Sequence, residues 1–239
     1  MRHVNTLYHW AILGAILVGL GHPALARAEF VFGGHTYDIS ATGATWSSAR
    51  TAAAATSRFG QPGYLAVIES QEENTAIYDS LIAASVATIA ADGGGARYAW
   101  LGGSDSGTAI PGASEGNFFW LVGGQFWQGG KSGSPFGGSY ANWGQGTLNN
   151  EPDNYYYSGQ YQNYLAMGLQ NWPTFNPGAY GEASQWNDLV GTNSLRYVIE
   201  YNAVPEPGPL VLLGTGLALL VVTLPRYRCG TLRRAGRPA

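Results

Sequence analysis

The chain has 239 residues, is only 11% charged and carries a formal net charge of −3. Seven of its twelve bases lie in the two terminal segments, so residues 29–203 hold five bases against fourteen acids, a net of −9. That balance excludes nucleic acid and anionic lipid as natural partners of this region, because both need a positive surface.

The first 28 residues predict a secretory signal. Arg2 supplies the positive start, Trp10 to Leu20 a short apolar run, and Ala24-Leu25-Ala26 and Ala26-Arg27-Ala28 both fit a small-residue cleavage site. The run is too short to span a membrane. Phe30 to Ser40 then predicts a hairpin turning at Gly33-Gly34. Thr45 caps a helix running toward Gly60, with Trp46, Ala49 and Ala53 on one face. Tyr64 to Ile68 predicts a short strand. Ser70 opens a second helix through a capping box with Glu73, and Ala76, Ile77, Leu81 and Ile82 mark its apolar face.

After Gly93-Gly94-Gly95 the character changes. Short aromatic segments, "RYAWLGG", "NFFWLVGG" and "QFW", alternate with glycines, and Gly129 to Trp186 is long, polar and rich in Gly, Asn and Tyr. Ser194 to Tyr201 closes the region as a strand. The layout is α+β: two helices, short antiparallel sheets and a long loop region. Trp120, Trp127, Trp143, Trp172 and Trp186 argue that the loops are ordered, since a flexible spacer has no use for them. Long ordered loops are held by something or bind something. The single cysteine, Cys229, lies in the last segment, so no disulfide can hold them; a bound cation can. His35 is the only histidine of residues 29–203, which removes Ser–His and Cys–His catalysis and His/Cys zinc sites. Carboxylates, amides and aromatics remain, the groups that bind a hard cation and sugar.

Residues 204–239 form a third segment. Leu210 to Leu224 is apolar and uncharged, and Arg226, Arg228, Arg233, Arg234 and Arg237 follow. As a helix the run would rise roughly 22 Å, short of a ~30 Å hydrocarbon core, a gap that flanking residues or a thin membrane can close. The arginines would stay on the cytoplasmic side. Val204-Pro205-Glu206-Pro207, the apolar span and the arginine-rich tail together resemble the PEP-CTERM sorting signal of Gram-negative bacteria. The resemblance implies export, processing by an exosortase-type membrane protease, transient anchoring in the inner membrane, and a place in the envelope or extracellular matrix near polysaccharide.

Two motifs carry the candidate chemistry. Asn149 to Asn154 reads "NNEPDN", with Glu151 and Asp153 two residues apart across a proline; Trp186-Asn187-Asp188 reads "WND". Either alone is explained by an acidic turn. Both carboxylates of the first motif can face one ion if the proline turns the backbone. In chain order, the helix, "YLAVI", the capped helix, "AWLGG" (Ala99 to Gly103), "FFW", Asn142-Trp143, "EPD", "WND" and "YVIEY" resemble the C-type lectin domain in a cysteine-poor bacterial form. The resemblance covers about residues 30–201. It implies a C-type lectin-like fold and a Ca²⁺ ion held by Glu151, Asp153, Asn187, Asp188 and Gln162, with a cis bond at Glu151–Pro152. It further implies a glycan bound at Glu151, Asp153 and Asn187. Of the loop aromatics, Tyr155, Tyr156, Tyr157 or Trp172 is placed to stack on a sugar face, with packing within the loop as the alternative for each. Gln162 stands where the family often has an acid, Tyr164 and Ile199 stand at cysteine positions, and Asp153 stands where many members have Asn. One charge fewer predicts weaker calcium binding, because charge count tunes affinity.

Three functions compete. The first is an exported, calcium-dependent carbohydrate-binding protein. The second keeps the fold as a protein-binding or structural envelope module without sugar. The third is a glycosidase using Glu151 and Asp188, which the first reading disfavours because acids crowded around a cation stay ionised and donate no proton. The sequence expectation is therefore a binding protein, not an enzyme.

Overall fold

A computed structural model of the protein describes residues 28–203. The expected signal and the sorting segment, including the span from Leu210 to Leu224, lie outside the described residues. Among the described residues no helix is long and apolar enough to cross a membrane.

Strands β1 (Ala28–Phe32) and β2 (His35–Ile39) form the expected hairpin, and Gly33 and Gly34 take its two turn positions at φ 57° and 86°. Helix α1 (Trp46–Ala54) begins at Thr45, whose hydroxyl accepts from the N–H of Ser48, and buries Trp46, Ala49 and Ala53 as the sequence predicts. It stops earlier than expected. Ser57–Arg58 (β3) pairs with Gln61–Leu65 (β4), so Phe59 and Gly60 are the turn of a second hairpin and not the end of the helix. Arg58 holds that hairpin down through Glu29 at 2.8 Å and Asp38 at 3.0 Å.

Helix α2 (Gln71–Ala83) starts at Ser70 with the capping contact to the Glu73 N–H. Its buried face is Glu73, Asn74, Ile77 and Leu81, while Ile82 is exposed, contrary to the apolar pattern. The inward polar groups are hydrogen-bonded. Glu73 accepts from the Tyr37 hydroxyl at 2.6 Å, and the Asn74 amide oxygen accepts from the Trp186 indole at 2.7 Å. Buried polar side chains with partners cost little, so they can replace the apolar positions expected there.

The remaining elements are β5 (Tyr98–Ser104), β6 (Phe119–Trp120), β7 (Trp127–Gln128), a 3₁₀ turn (Gly130–Ser132), β8 (Ser134–Pro135), β9 (Tyr156–Tyr157), β10 (Gln160–Tyr161), β11 (Tyr164–Gly168), β12 (Trp186–Leu189) and β13 (Arg196–Tyr201). The main sheet runs β1-β2-β13-β5-β11-β12, with β3, β4 and β6 attached beside it. Its pairs are antiparallel except β13 with β5. This is the α+β arrangement expected, two helices with short, mostly antiparallel sheets and long loops.

All seven residues of β5 are buried. Ala99 and Leu101 join one apolar cluster with Ile77, Leu81 and Trp186; Tyr98 and Trp100 join another with Trp46 and Trp172. That alternation is the period-two reading of a strand covered on both faces. The glycine-rich middle is fixed by its aromatics: Trp120 stacks on Phe126 with centroids 4.2 Å apart, and Trp143 meets Trp186 edge-on at 6.1 Å.

Candidate metal centre

The far edge strand of the sheet, β12, carries Asn187 and Asp188, and pairing with β11 sets Ala166 opposite Asn187 and Leu165 opposite Asp188. The long loop meets this edge. Trp186 N–H donates to Asn142 at 2.7 Å, and Gly144 N–H returns to Trp186 at 2.8 Å. A short reversal pairs Gln145 with Asn150, and Glu151 N–H closes it on the Gly144 carbonyl at 2.9 Å. The loop thereby delivers Glu151 to the strand that holds Asn187. The Glu151–Pro152 bond is cis, as expected. The next two residues are caught by Asp188, whose carboxylate accepts from the N–H of Asp153 at 3.1 Å and of Asn154 at 2.9 Å.

The result gathers one carboxylate oxygen from each of Glu151, Asp153 and Asp188 within 4.8 Å of one another. Glu151 Oε1 accepts from the Trp172 indole at 3.2 Å, but Oε2 is buried with no partner. Asn187 Nδ2 donates to the Tyr98 hydroxyl at 3.0 Å, which leaves Asn187 Oδ1 buried and unpartnered as well. Asn154 Oδ1 is a third such oxygen. Buried polar atoms are almost always satisfied, so the orphaned oxygens of Glu151 and Asn187, set with three clustered carboxylates, describe a place for a group that accepts lone pairs. Burial is the first cause that raises the carboxyls of Glu151 and Asp188 well above the ordinary range; the neighbouring acids raise them further. Asp153 is raised too, again by burial. Acidic oxygens that repel one another when bare are the donor set of a hard divalent cation, and the residues present fit one.

Glu151, Asp153, Asn187 and Asp188 are thus brought together. Gln162 reaches the same place with a different occupation: its carbonyl oxygen accepts from the Tyr155 N–H at 3.1 Å, and its amide donates to Asp92. It fastens the loop rather than pointing a free oxygen at the acids. Trp172 corrects its expectation more sharply. The ring is 1% exposed, packed edge-on against Tyr98 at 5.7 Å, and offers no face to a sugar; its indole orients Glu151 instead. Burial of a large ring outweighs occasional stacking. Tyr155 is 54% exposed and lines the adjoining cavity of about 300 Å³.

Sequence reasoning missed several residues. Asp92 accepts from the N–H of Val190 at 2.6 Å and the amide of Asn193 at 2.6 Å, tying the end of β12 to Gln162. Asn149 donates to Asp153 at 2.7 Å, and its place in "NNEPDN" was a signal available to find it. Phe175 also lines the cavity, beside Tyr157, itself a stacking candidate from the sequence. Asp105, just past β5, is buried with Oδ1 unpartnered and Oδ2 accepting from Gly116; burial pushes its carboxyl up to about 7, with Glu115 adding repulsion.

No known family model matches the chain. Halomucin of Haloquadratum walsbyi is 32% identical over 118 residues, 46% of this chain and 1% of halomucin, so the chain spans about 1% of the length of that curated relative. Among solved structures, the C-type lectin CEL-I from Cucumaria echinata is 20% identical and is matched over 74% of this chain and 96% of its own, with a TM-score of 0.48. The mouse scavenger receptor C-type lectin carbohydrate-recognition domain is also 20% identical, over 75% of this chain and 98% of its own, with a TM-score of 0.46. These are likenesses of fold alone.

Proposed function

We propose that residues 29–203 are a calcium-dependent carbohydrate-binding module and not an enzyme. The observation that carries the reading is the pair of orphaned oxygens, Glu151 Oε2 and Asn187 Oδ1, set among three carboxylates at the edge of a cavity. Glu151, Asp153, Asn187 and Asp188 hold the ion, and Gln162 positions the loop that carries Asp153. A calcium ion takes six to eight oxygens, so when bound it supplies open positions for neighbouring sugar hydroxyls. The same acids and amides accept and donate hydrogen bonds to those hydroxyls, and Tyr155 lies beside them. Binding of this kind moves no proton and breaks no bond.

The terminal segments extend the proposal to address. A signal in residues 1–28 and a PEP-CTERM segment in 204–239 would export the module to the envelope or matrix of a Gram-negative bacterium, with an exosortase-type protease as processing partner and extracellular polysaccharide as ligand. The test is a glycan array probed with the full chain, with and without chelator, beside Glu151→Gln. The proposal expects wild-type retention that chelator abolishes and the substitution weakens. Retention indifferent to both overturns it. Calcium binding with no glycan retained would favour a protein-binding or structural envelope module instead.

A further inference from the structure

The cavity beside the acids has aromatic walls that the ion site does not use. On one side stands the β9–β10 hairpin, turning through Ser158 and Gly159 at φ 51° and 87°, the left-handed pair of a tight hairpin. Its base is fastened to the acid site, because the Tyr155 N–H is held by both Asp153 and Gln162 at 3.1 Å. The rings of Tyr155 and Tyr157 lie 6.4 Å apart and both line the cavity, whereas Tyr156 packs with Tyr161 at 4.8 Å. Phe175 lines the same cavity and is 81% exposed. It is not loosely displayed. Thr174 donates its N–H at 2.9 Å and its hydroxyl at 3.0 Å to the Gly94 carbonyl, and Asn176 N–H closes a turn on Pro173 at 3.1 Å. An anchored turn holding a phenylalanine in water adds little to folding. Part-exposed rings sharing one cavity with placed polar groups are the usual make-up of a ligand site.

We infer that Tyr157 and Phe175 form a second subsite, stacking on the apolar face of the sugar next to the one held at the acids. The ligand is then a chain of two or more pyranoses rather than a single terminal sugar. The chain is neutral, because Asp92, Glu151 and Asp153 line the cavity and no lysine or arginine does. The inference rests on the carbohydrate-binding reading and names the class of glycan it takes.

The test is calorimetry of the full chain in calcium with methyl α-mannoside against α-mannotetraose, and methyl β-galactoside against β-1,4-galactotetraose. In the wild type, the tetramer of the preferred sugar binds about fivefold or more tighter than its monomer, the scale of one aromatic contact. In Tyr157→Ala and in Phe175→Ala that ratio falls toward one, while monomer affinity and the calcium-induced rise in Tm stay. Equal affinity for monomer and tetramer in the wild type, or a ratio that survives both substitutions, overturns the subsite and leaves the ion site standing. No sugar bound by the wild type, with calcium still raising Tm, removes the carbohydrate reading itself and this inference with it.

Discussion

The Trp172 indole donates to Oε1 of Glu151 at 3.2 Å while Oε2 of the same carboxylate is buried with nothing to meet it. One side chain therefore fixes the direction in which the other presents its free oxygen. Trp172→Phe keeps a ring in the slot and removes only the donor and part of the bulk. A loss of about 1–3 kcal/mol of stability follows from the unpaired acceptor and the small void, together with a several-fold weaker calcium affinity. Thermal melts and a calcium titration measure both. Unchanged calcium affinity would mean that the indole does not orient the acid.

Glu151→Gln separates the ion from the fold. In the absence of metal the substitution removes a carboxyl whose ionisation is opposed by burial and by Asp188 and Asp153, so Tm in chelator stays level or rises. Calcium affinity falls by about tenfold or more, because ligand charge sets it. A drop in Tm with calcium binding intact would contradict the assignment of this carboxylate as a ligand.

The acids also set the pH dependence. Burial raises the carboxyls of Glu151 and Asp188 well above the ordinary range and Asp105 to about 7. A carboxyl whose folded pKa is raised stabilises the fold fully below its unfolded value and loses that contribution as pH rises through the folded value. The metal-free protein therefore loses stability from about pH 4 toward pH 7. Calcium needs the ionised acids, so its binding strengthens as pH rises through the raised values of Glu151, Asp153 and Asp188. Melts in chelator and in calcium from pH 4 to pH 8 should diverge. A calcium-induced shift that is constant with pH would rule out competition between ion and protons.

Much of this was legible in the sequence, for local reasons. The Thr45 and Ser70 caps, the Gly33-Gly34 turn and the "EPD" and "WND" pair depend on residues close in the chain or on a recognisable order of motifs. What failed depended on partners far away. Nothing near Phe59 and Gly60 says that β3 will pair with β4 and be pinned by Glu29 and Asp38. Asn74 looks like a surface residue until Trp186, 112 positions later, donates to it. Trp172 reads as an exposed loop aromatic because the glycines that box it in, Gly144, Gly168 and Gly181, are spread over three segments.

Gln162→Glu asks whether the missing charge matters. A carboxylate there cannot donate to Asp92, as the Gln162 amide does at 3.1 Å and 3.2 Å. Without metal the substitution destabilises by about 1–3 kcal/mol, the cost of a broken buried hydrogen bond. With calcium the added negative charge strengthens ion binding. The combination of lower Tm in chelator and tighter calcium binding is the expected result. Weaker calcium binding would place Gln162 purely in the scaffold.

Gly144→Ala tests the packing behind the site. A β-carbon at Gly144 would lie 2.7 Å from the Trp172 ring and 2.9 Å from Glu151 Cγ. Neither can retreat, since Trp172 is fully enclosed. Overpacking of this kind costs about 1–3 kcal/mol, and the displaced Glu151 should lower calcium affinity as well. Normal affinity in a destabilised protein would uncouple the packing from the ion site.

A crystal structure of the protein grown in calcium tests the central claim most directly. The account predicts one ion in contact with side-chain oxygens of Glu151, Asp153, Asn187 and Asp188, with Oε2 of Glu151 no longer unpartnered. Calcium-saturated crystals with those four side chains bound only to protein or water would contradict it.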